Sequence, residues 1–328
     1  MAAGITAFTD EQLRALINLR PRYENQIEAE RELARMPYNL VRKQSAGREY
    51  LYEVTDRANN AKSLGPMTPE REAQLEDYHS AKAALKARVT ASRKGVDEIA
   101  RLARPLRLPT FPAPAGAILR ELDRRGLLDG TLLVVGTNCI PVYSLEAAGA
   151  IADAPAETED FDLAWAAETV AEDAALWNAL KAVDPTFTMN AEREFQARNR
   201  EAYEIELLVA PSRVATMSPR EKPRPIPLPE QEWLLLGRPV DQVIPCRDGK
   251  AARVVAPDPR WFALHKLWLG SQDKRNPLKR RKDIQQGNAV LAAVAEAMPH
   301  YRLDADFVAS IPPELQPYWQ AWTTSRGR

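Results

Sequence analysis

The sequence predicts an α+β fold: a small mixed β-sheet core with helices, preceded by a helical and β-meander module and followed by a helical C-terminal region. Two observations carry this. The apolar run Thr131-Leu132-Leu133-Val134-Val135 stops abruptly at Gly136-Thr137-Asn138, as a buried strand bounded by turn residues does. Around it the order of elements is helix, strand, helix, strand, helix, hairpin, which suits a small mixed sheet.

From the N-terminus, Thr9 and Gln12 form a capping box for a helix carrying Leu13, Leu16 and Ile17, which Pro21 is expected to kink or end. Residues 37–65 read as a β-meander, with Asn39-Leu40-Val41 and Glu49 to Val54 separated by Ala46-Gly47. Thr68 caps a helix with Pro69 at its first position and room to run to Pro105. Leu75, Tyr78, Leu85, Val89, Val96 and Ile99 alternate steps of three and four along it, while Lys82 and Ser92 interrupt the seam. The interruptions favour an antiparallel hairpin against residues 10–35; an intermolecular coiled coil through residues 69–104, and hence an oligomer, is the alternative.

Three prolines within 108–114 suggest a boundary, dividing the chain into 1–107, a core of 115–215 and a C-terminal part of 231–328. In the core, a helix with Ile118, Leu119 and Leu122 closes near Gly126. Residues 158–164 read as a strand, 168–182 as a helix, and Phe195 to Val209 as a hairpin turning at Asn199-Arg200-Glu201. Five prolines at 219, 223, 225, 227 and 229 suggest an extended connector. Val240–Pro245 and Ala252–Val255 pair across Asp248-Gly249. Asp258-Pro259 and Asn276-Pro277 cap two further helices, and the tail from Leu303 is helical.

Composition bounds the function. The 45 basic residues balance the 45 acidic ones, so attraction to nucleic acid has to come from local patches. Cys139 and Cys246 lack zinc spacing, and no apolar run is long enough to span a membrane. No signal-peptide pattern is seen, so a reducing cytoplasm is expected.

A strand over 158–164 places Asp160 and Asp162 on one face, with Phe161 and Leu163 turned into the core. Adjacent carboxylates repel unless a cation sits between them, and hard oxygen ligands suit Mg²⁺. Glu204 and Glu206 share a face of their own strand by the same period, and periodicity does not choose between them. Gly136, Thr137 and Asn138 stand where a strand gives way to a helix, so free N–H groups there favour phosphate; alternatively Asn138 simply caps the helix. Lys274 to Lys282 holds six cations in nine residues, several in the first turns of a helix, where the macrodipole disfavours them. A triphosphate tail or RNA would explain that placement, and a solvated face is the plain alternative. His265 reads as packing beside Trp261 and Trp268, and Lys82 to Lys94 as a solvated basic coil.

Gly136-Thr137 after a strand, followed by Thr158-Glu159-Asp160-Phe161-Asp162-Leu163, resembles the nucleotidyltransferase fold of the DNA polymerase β superfamily, and most closely a bacterial family within it. The resemblance extends, more weakly, from about Leu40 to Val290. It implies metal-dependent transfer of a nucleoside monophosphate from a nucleoside triphosphate such as ATP to a hydroxyl of RNA, protein or a small molecule. It further implies Mg²⁺ or Mn²⁺ on Asp160, Asp162 and a third carboxylate. The family's apolar-acid-apolar pattern favours Glu206, although the family usually has Asp there. Nucleotide contacts are expected from Gly136, Thr137, Asn138, Lys266, Arg281 and Lys282. A non-catalytic protein of the same fold that binds nucleotide or nucleic acid is the main alternative. A glycosyltransferase using Asp-x-Asp is weaker, since it leaves Gly136-Thr137 unexplained.

Overall fold

A computed structural model describes residues 4–45, 47–56, 58–156, 160–170 and 173–326. The chain divides into two units, Met1–Arg20 with Ile99–Arg328, and Pro21–Glu98.

Strand β1 (Ile5–Ala7) leads into helix α1 (Asp10–Arg35). The capping box is present: Thr9 N–H donates to Gln12 Oε1 at 2.7 Å and Gln12 N–H to Thr9 Oγ1 at 3.3 Å. Of the two outcomes expected at Pro21, an end to the helix does not occur, and α1 continues through it. The bond it forfeits would go to the carbonyl of Ile17, an exposed residue where water can serve instead.

The meander in the unit Pro21–Glu98 consists of β2 (Asn39–Ser45), β3 (Arg48–Val54) and β4 (Ala61–Pro66), antiparallel in that order; Ala46 of its first turn lies outside the described residues. Leu40, Leu51 and Tyr78 form its small core. Helix α2 (Pro69–Arg101) begins behind Thr68, whose Oγ1 accepts from Arg71 N–H at 3.4 Å. It stops at Arg101, short of Pro105. Arg88 pairs with Glu28 at 2.6 Å and Glu32 at 3.1 Å, and Arg93 with Glu30 at 2.8 Å, the antiparallel packing expected of a hairpin. Lys82 breaks the apolar seam because its ammonium donates to the Pro37 carbonyl at 3.0 Å.

In the other unit, α3 (Ala113–Arg124) precedes β5 (Leu132–Val134), α4 (Cys139–Glu146), β6 (Gly149–Ile151) and β7 (Phe161–Trp165). Strand β7 starts later than expected, and Thr158 and Glu159 lie outside the described residues. Then come α5 (Ala175–Val183), β8 (Thr188–Met189), β9 (Gln196–Arg198) and β10 (Glu204–Val209). The sheet order is β5-β7-β10-β9-β8, with β7 and β10 parallel and the other pairs antiparallel. The mixed sheet and the β9–β10 hairpin are as the sequence predicts.

The hairpin of β11 (Val240–Pro245) and β12 (Ala251–Ala256) is followed by α6 (Pro259–Ser271), α7 (Pro277–Ala297), α8 (Ala305–Ser310) and α9 (Gln316–Arg326). Asp258 and Asn276 both cap as expected, accepting from Arg260 N–H and Leu278 N–H. A Cβ on Gly287 would stand 2.8 Å from the Ala263 carbonyl, so this glycine lets α6 and α7 pack backbone against backbone. Segments 115–215 and 231–328 share one core, in which Phe161, Leu163, Ile205 and Leu207 join Val254, Phe262 and Val290. The prolines of 108–114 sit inside the same unit: Phe111 N–H donates to the Pro245 carbonyl, and Arg247 N–H to the Phe111 carbonyl, each at 2.9 Å.

Two expectations are corrected. The helix expected over 168–182 begins at Ala175; Val170 is exposed, and residues 171 and 172 lie outside the described residues. The start at Ala175 has a cause in the proline-rich stretch, which packs instead of merely connecting. There Glu221 is fully buried and accepts from Leu176 N–H at 3.3 Å and Trp177 N–H at 3.0 Å, serving α5 as an N-cap from a distance. Glu221→Ala is expected to cost about 1–2 kcal/mol by stranding those donors. Urea unfolding would show a lower midpoint at an unchanged m-value; an unchanged midpoint would remove this role from Glu221.

Candidate active site

Past β5 the chain makes a 3₁₀ turn over Gly136–Asn138 and enters α4. Gly136 has φ +70°, and a Cβ there would lie 2.1 Å from Asp162 Oδ2. Only glycine lets the turn close over that carboxylate. Thr137 is buried, with its hydroxyl accepting from Gln286 Nε2 at 3.3 Å. Asn138 does not cap α4 with its side chain, contrary to the plainer expectation. Its amide instead donates to the Asp160 carbonyl at 3.1 Å, fixing the backbone that leads into β7. Of these three residues only Gly136 lines the cleft described below.

Parallel pairing sets Glu206 beside Asp162 and Ile205 beside Phe161, so the acids share one face while the apolar residues enter the core. Asp160 stands just before β7. Burial, then the neighbouring Glu206 carboxylate, push the Asp162 pKa up to about 7; Lys266 opposes and Asp160 adds to the rise. Gln196, buried on β9, donates to Glu206 Oε1. Glu204 turns to Arg198, 2.9 Å from its Nε, and is not among the cleft residues. The structure therefore brings Glu206 to the aspartates.

These groups line a cleft of about 280 Å³, whose opposite wall comes from α6, the loop after it and the first turn of α7. Lys266 is in that wall, buried, with its ammonium 2.7 Å from Asp283 Oδ1. Arg275 holds the other oxygen of Asp283 at 2.9 Å. Burial works against the Asp283 carboxylate, but the two cations outweigh it and hold its pKa below the usual range. Lys279 lies 3.7 Å from Asp160 Oδ2. Arg281 is exposed, and neither it nor Lys282 lines the cleft. Helical phase accounts for Arg281, since residues 279, 283 and 286 share a face of α7 that 281 does not. Lys282 is half-buried, and burial with the nearby Lys266 lowers its pKa. His265 packs against Trp233 and Trp268, and burial drives its pKa down to about 3, so it is neutral.

Sequence reasoning left out Gln196, Gln286 and Asp283, and took in Arg275 and Lys279 only as members of the basic run 274–282. Of the three left out, Asp283 had a visible signal, as the acid closing that run.

The donor set fits a hard divalent cation by chemistry. It is all carboxylate oxygen, with Asp162 and Glu206 side by side and repelling. Among the described residues no three metal-binding side chains are already gathered as a cage. Mg²⁺ does not require one, because it is usually bound by one or two carboxylates plus substrate phosphates.

A family model described as Nucleotidyltransferase matches residues 113–310, well over half of the chain and all of the cleft residues named above. Comparisons with curated proteins and with solved structures give no match. The chain belongs to this nucleotidyltransferase family.

Proposed function

We propose, from membership of this family and the geometry of the cleft, that the protein moves a nucleoside monophosphate from a nucleoside triphosphate to an acceptor hydroxyl. The observation that carries this reading is the registry of Asp162 with Glu206 beneath the Gly136 turn. Asp160, Asp162 and Glu206 would hold Mg²⁺ or Mn²⁺, which when bound neutralises phosphate charge and lowers the pKa of a coordinated hydroxyl.

The chain's own groups have separable tasks. The Gly136–Asn138 turn offers backbone N–H groups to phosphate at the start of α4. Asn138 and Gln286 hold that turn against Asp160 and α7. Lys266, Arg275 and Lys279 set positive charge across from the carboxylates, where a triphosphate would lie, with Lys282 and Arg281 further along α7. Glu206, held by Gln196, would draw off the acceptor proton. No helix among the described residues is long and apolar enough to cross a membrane, and the reading is of a cytoplasmic enzyme whose acceptor is RNA, protein or a small molecule.

One alternative has specific support. Gln196 on Glu206 and Lys279 near Asp160 already partner two of the carboxylates, which would suit a protein that binds nucleotide without turning it over. The deciding experiment incubates the purified chain with each α-labelled nucleoside triphosphate, with and without Mg²⁺, over RNA, protein and small-molecule acceptors. Mg²⁺-dependent label on an acceptor is the expected result. Nucleotide binding without transfer across the whole panel would hand the site to the binding reading.

A further inference from the structure

A second cavity, of about 640 Å³, lies outside the carboxylate cleft. It is bounded by the last residues of α2, the segment that follows them as far as Thr110, and the β11–β12 turn. Four arginines ring it, Arg101, Arg104, Arg107 and Arg247, all with exposed side chains. Its floor is small and apolar, with Ala103, Leu108 and Cys246 buried and the Thr110 hydroxyl on the rim. Asp248 is the one carboxylate among its lining residues, and Arg120 holds that acid at 2.7 Å.

This concentration of charge is local, since the chain as a whole is formally neutral. Other arginines of this unit are matched to acids, Arg253 to Asp123, Asp129 and Asp241, and Arg260 to Asp258. Among the described residues neither Arg104 nor Arg107 has an ion-pair partner. Arg107 also occupies a backbone position that resists it. Its φ is +55°, and the Leu108 N–H closes back on the Ala103 carbonyl at 2.9 Å, the helix-end geometry in which glycine is usual. A side chain kept there at a cost in backbone energy points to a use for the guanidinium.

Metal binding lacks donors, because one acid is taken, no histidine is present, and burial pushes the Cys246 thiol up to about 12. Guanidinium forks match phosphate oxygens two at a time, and several forks around one cavity suit more than one phosphate. We propose that this cavity binds a ligand carrying two or more phosphate groups in tandem, either a nucleic-acid backbone or a free phosphorylated small molecule. The site is separate from the carboxylate cleft and stands whether or not nucleotidyl transfer is confirmed.

The test uses the full chain in metal-free buffer with EDTA. A labelled 15-nucleotide single-stranded RNA is followed by anisotropy and tripolyphosphate by calorimetry, each at 50 and 200 mM KCl. The double variant Arg104→Glu/Arg107→Glu should bind at least tenfold more weakly, and its RNA salt slope should fall by about 1.4, the share of two phosphate contacts on a single strand. Arg107→Gly, which suits the backbone, should weaken binding too while melting no lower than the wild type, separating the charge from the fold. A loss confined to RNA identifies a nucleic-acid backbone, and a loss confined to tripolyphosphate identifies a small ligand. Unchanged affinities in the folded variants, or no binding of either probe by the wild type, would overturn the proposal.

Discussion

Asp162→Asn is expected to reduce nucleotidyl transfer by about a thousandfold or more, the scale of a lost group that stabilises charge in the transition state. The same change should make the metal-free protein more stable at pH 8. Asp162 lies half-buried beside Glu206, and its pKa is raised to about 7 in the folded chain against about 3.9 for an unfolded aspartate. Between those values the folded state holds the proton that the unfolded state has released. The stability linked to that proton is full below pH 4 and drains away as pH climbs to about 7. Asparagine carries no charge at any pH, so the variant should lack this slope and melt a few degrees higher at pH 8, an effect on the order of 2 kcal/mol. Mg²⁺ should recover the lost stability in the wild type and give little in the variant. Thermal melts over pH 4–9, with and without Mg²⁺, read this without any assay of turnover. A wild type whose melting is flat across that range would remove the strained carboxylate pair, and wild-type turnover in the variant would remove the metal site.

The parts of the fold legible in the sequence were those governed by short-range rules. The Thr9–Gln12 box, the caps at Asp258 and Asn276, the Asp248-Gly249 turn and the alternation in β7 and β10 each depend on residues a few positions apart. Alternation also set Asp162 and Glu206 on the polar faces of their strands, but not that the two strands are neighbours in register. That follows from parallel pairing across more than forty residues of chain. Long-range partners were illegible for the same reason. Nothing near Ala175 announces that its helix is capped by Glu221, and nothing near Asn138 announces a bond to Asp160 in place of a cap. The basic run over 274–282 was visible as charge, but only the phase of α7 against α6 decides that Lys279 lines the cleft while Arg281 stays outside it. The arginine-ringed cavity was invisible, because Arg247 joins Arg104 and Arg107 only through the hairpin that carries it.

Glu206→Gln separates an enzyme from a binding protein. Glutamine keeps the length of the side chain and can still meet Gln196 across the β9–β10 pairing, so the sheet should survive the change. What disappears is the negative charge next to Asp162. If Glu206 takes the acceptor proton or completes the cation's ligands, nucleotide binding should persist while the chemical step falls by about two orders of magnitude or more. Glu204→Gln should do far less, since that carboxylate is engaged by Arg198 and does not line the cleft. Glu206→Asp adds a second axis. The shorter acid draws the carboxylate back by about one bond length and loosens its contact with Gln196. A faster Asp variant would mean that Gln196 holds the longer acid in a detuned position. A slower one would mean that strand and side chain are matched to glutamate. Single-turnover measurement on the three variants, with nucleotide affinity determined alongside, reads binding and chemistry separately. Equal rates for wild type and both glutamine variants would leave the cleft without a working third carboxylate, and the binding reading would then take the lead.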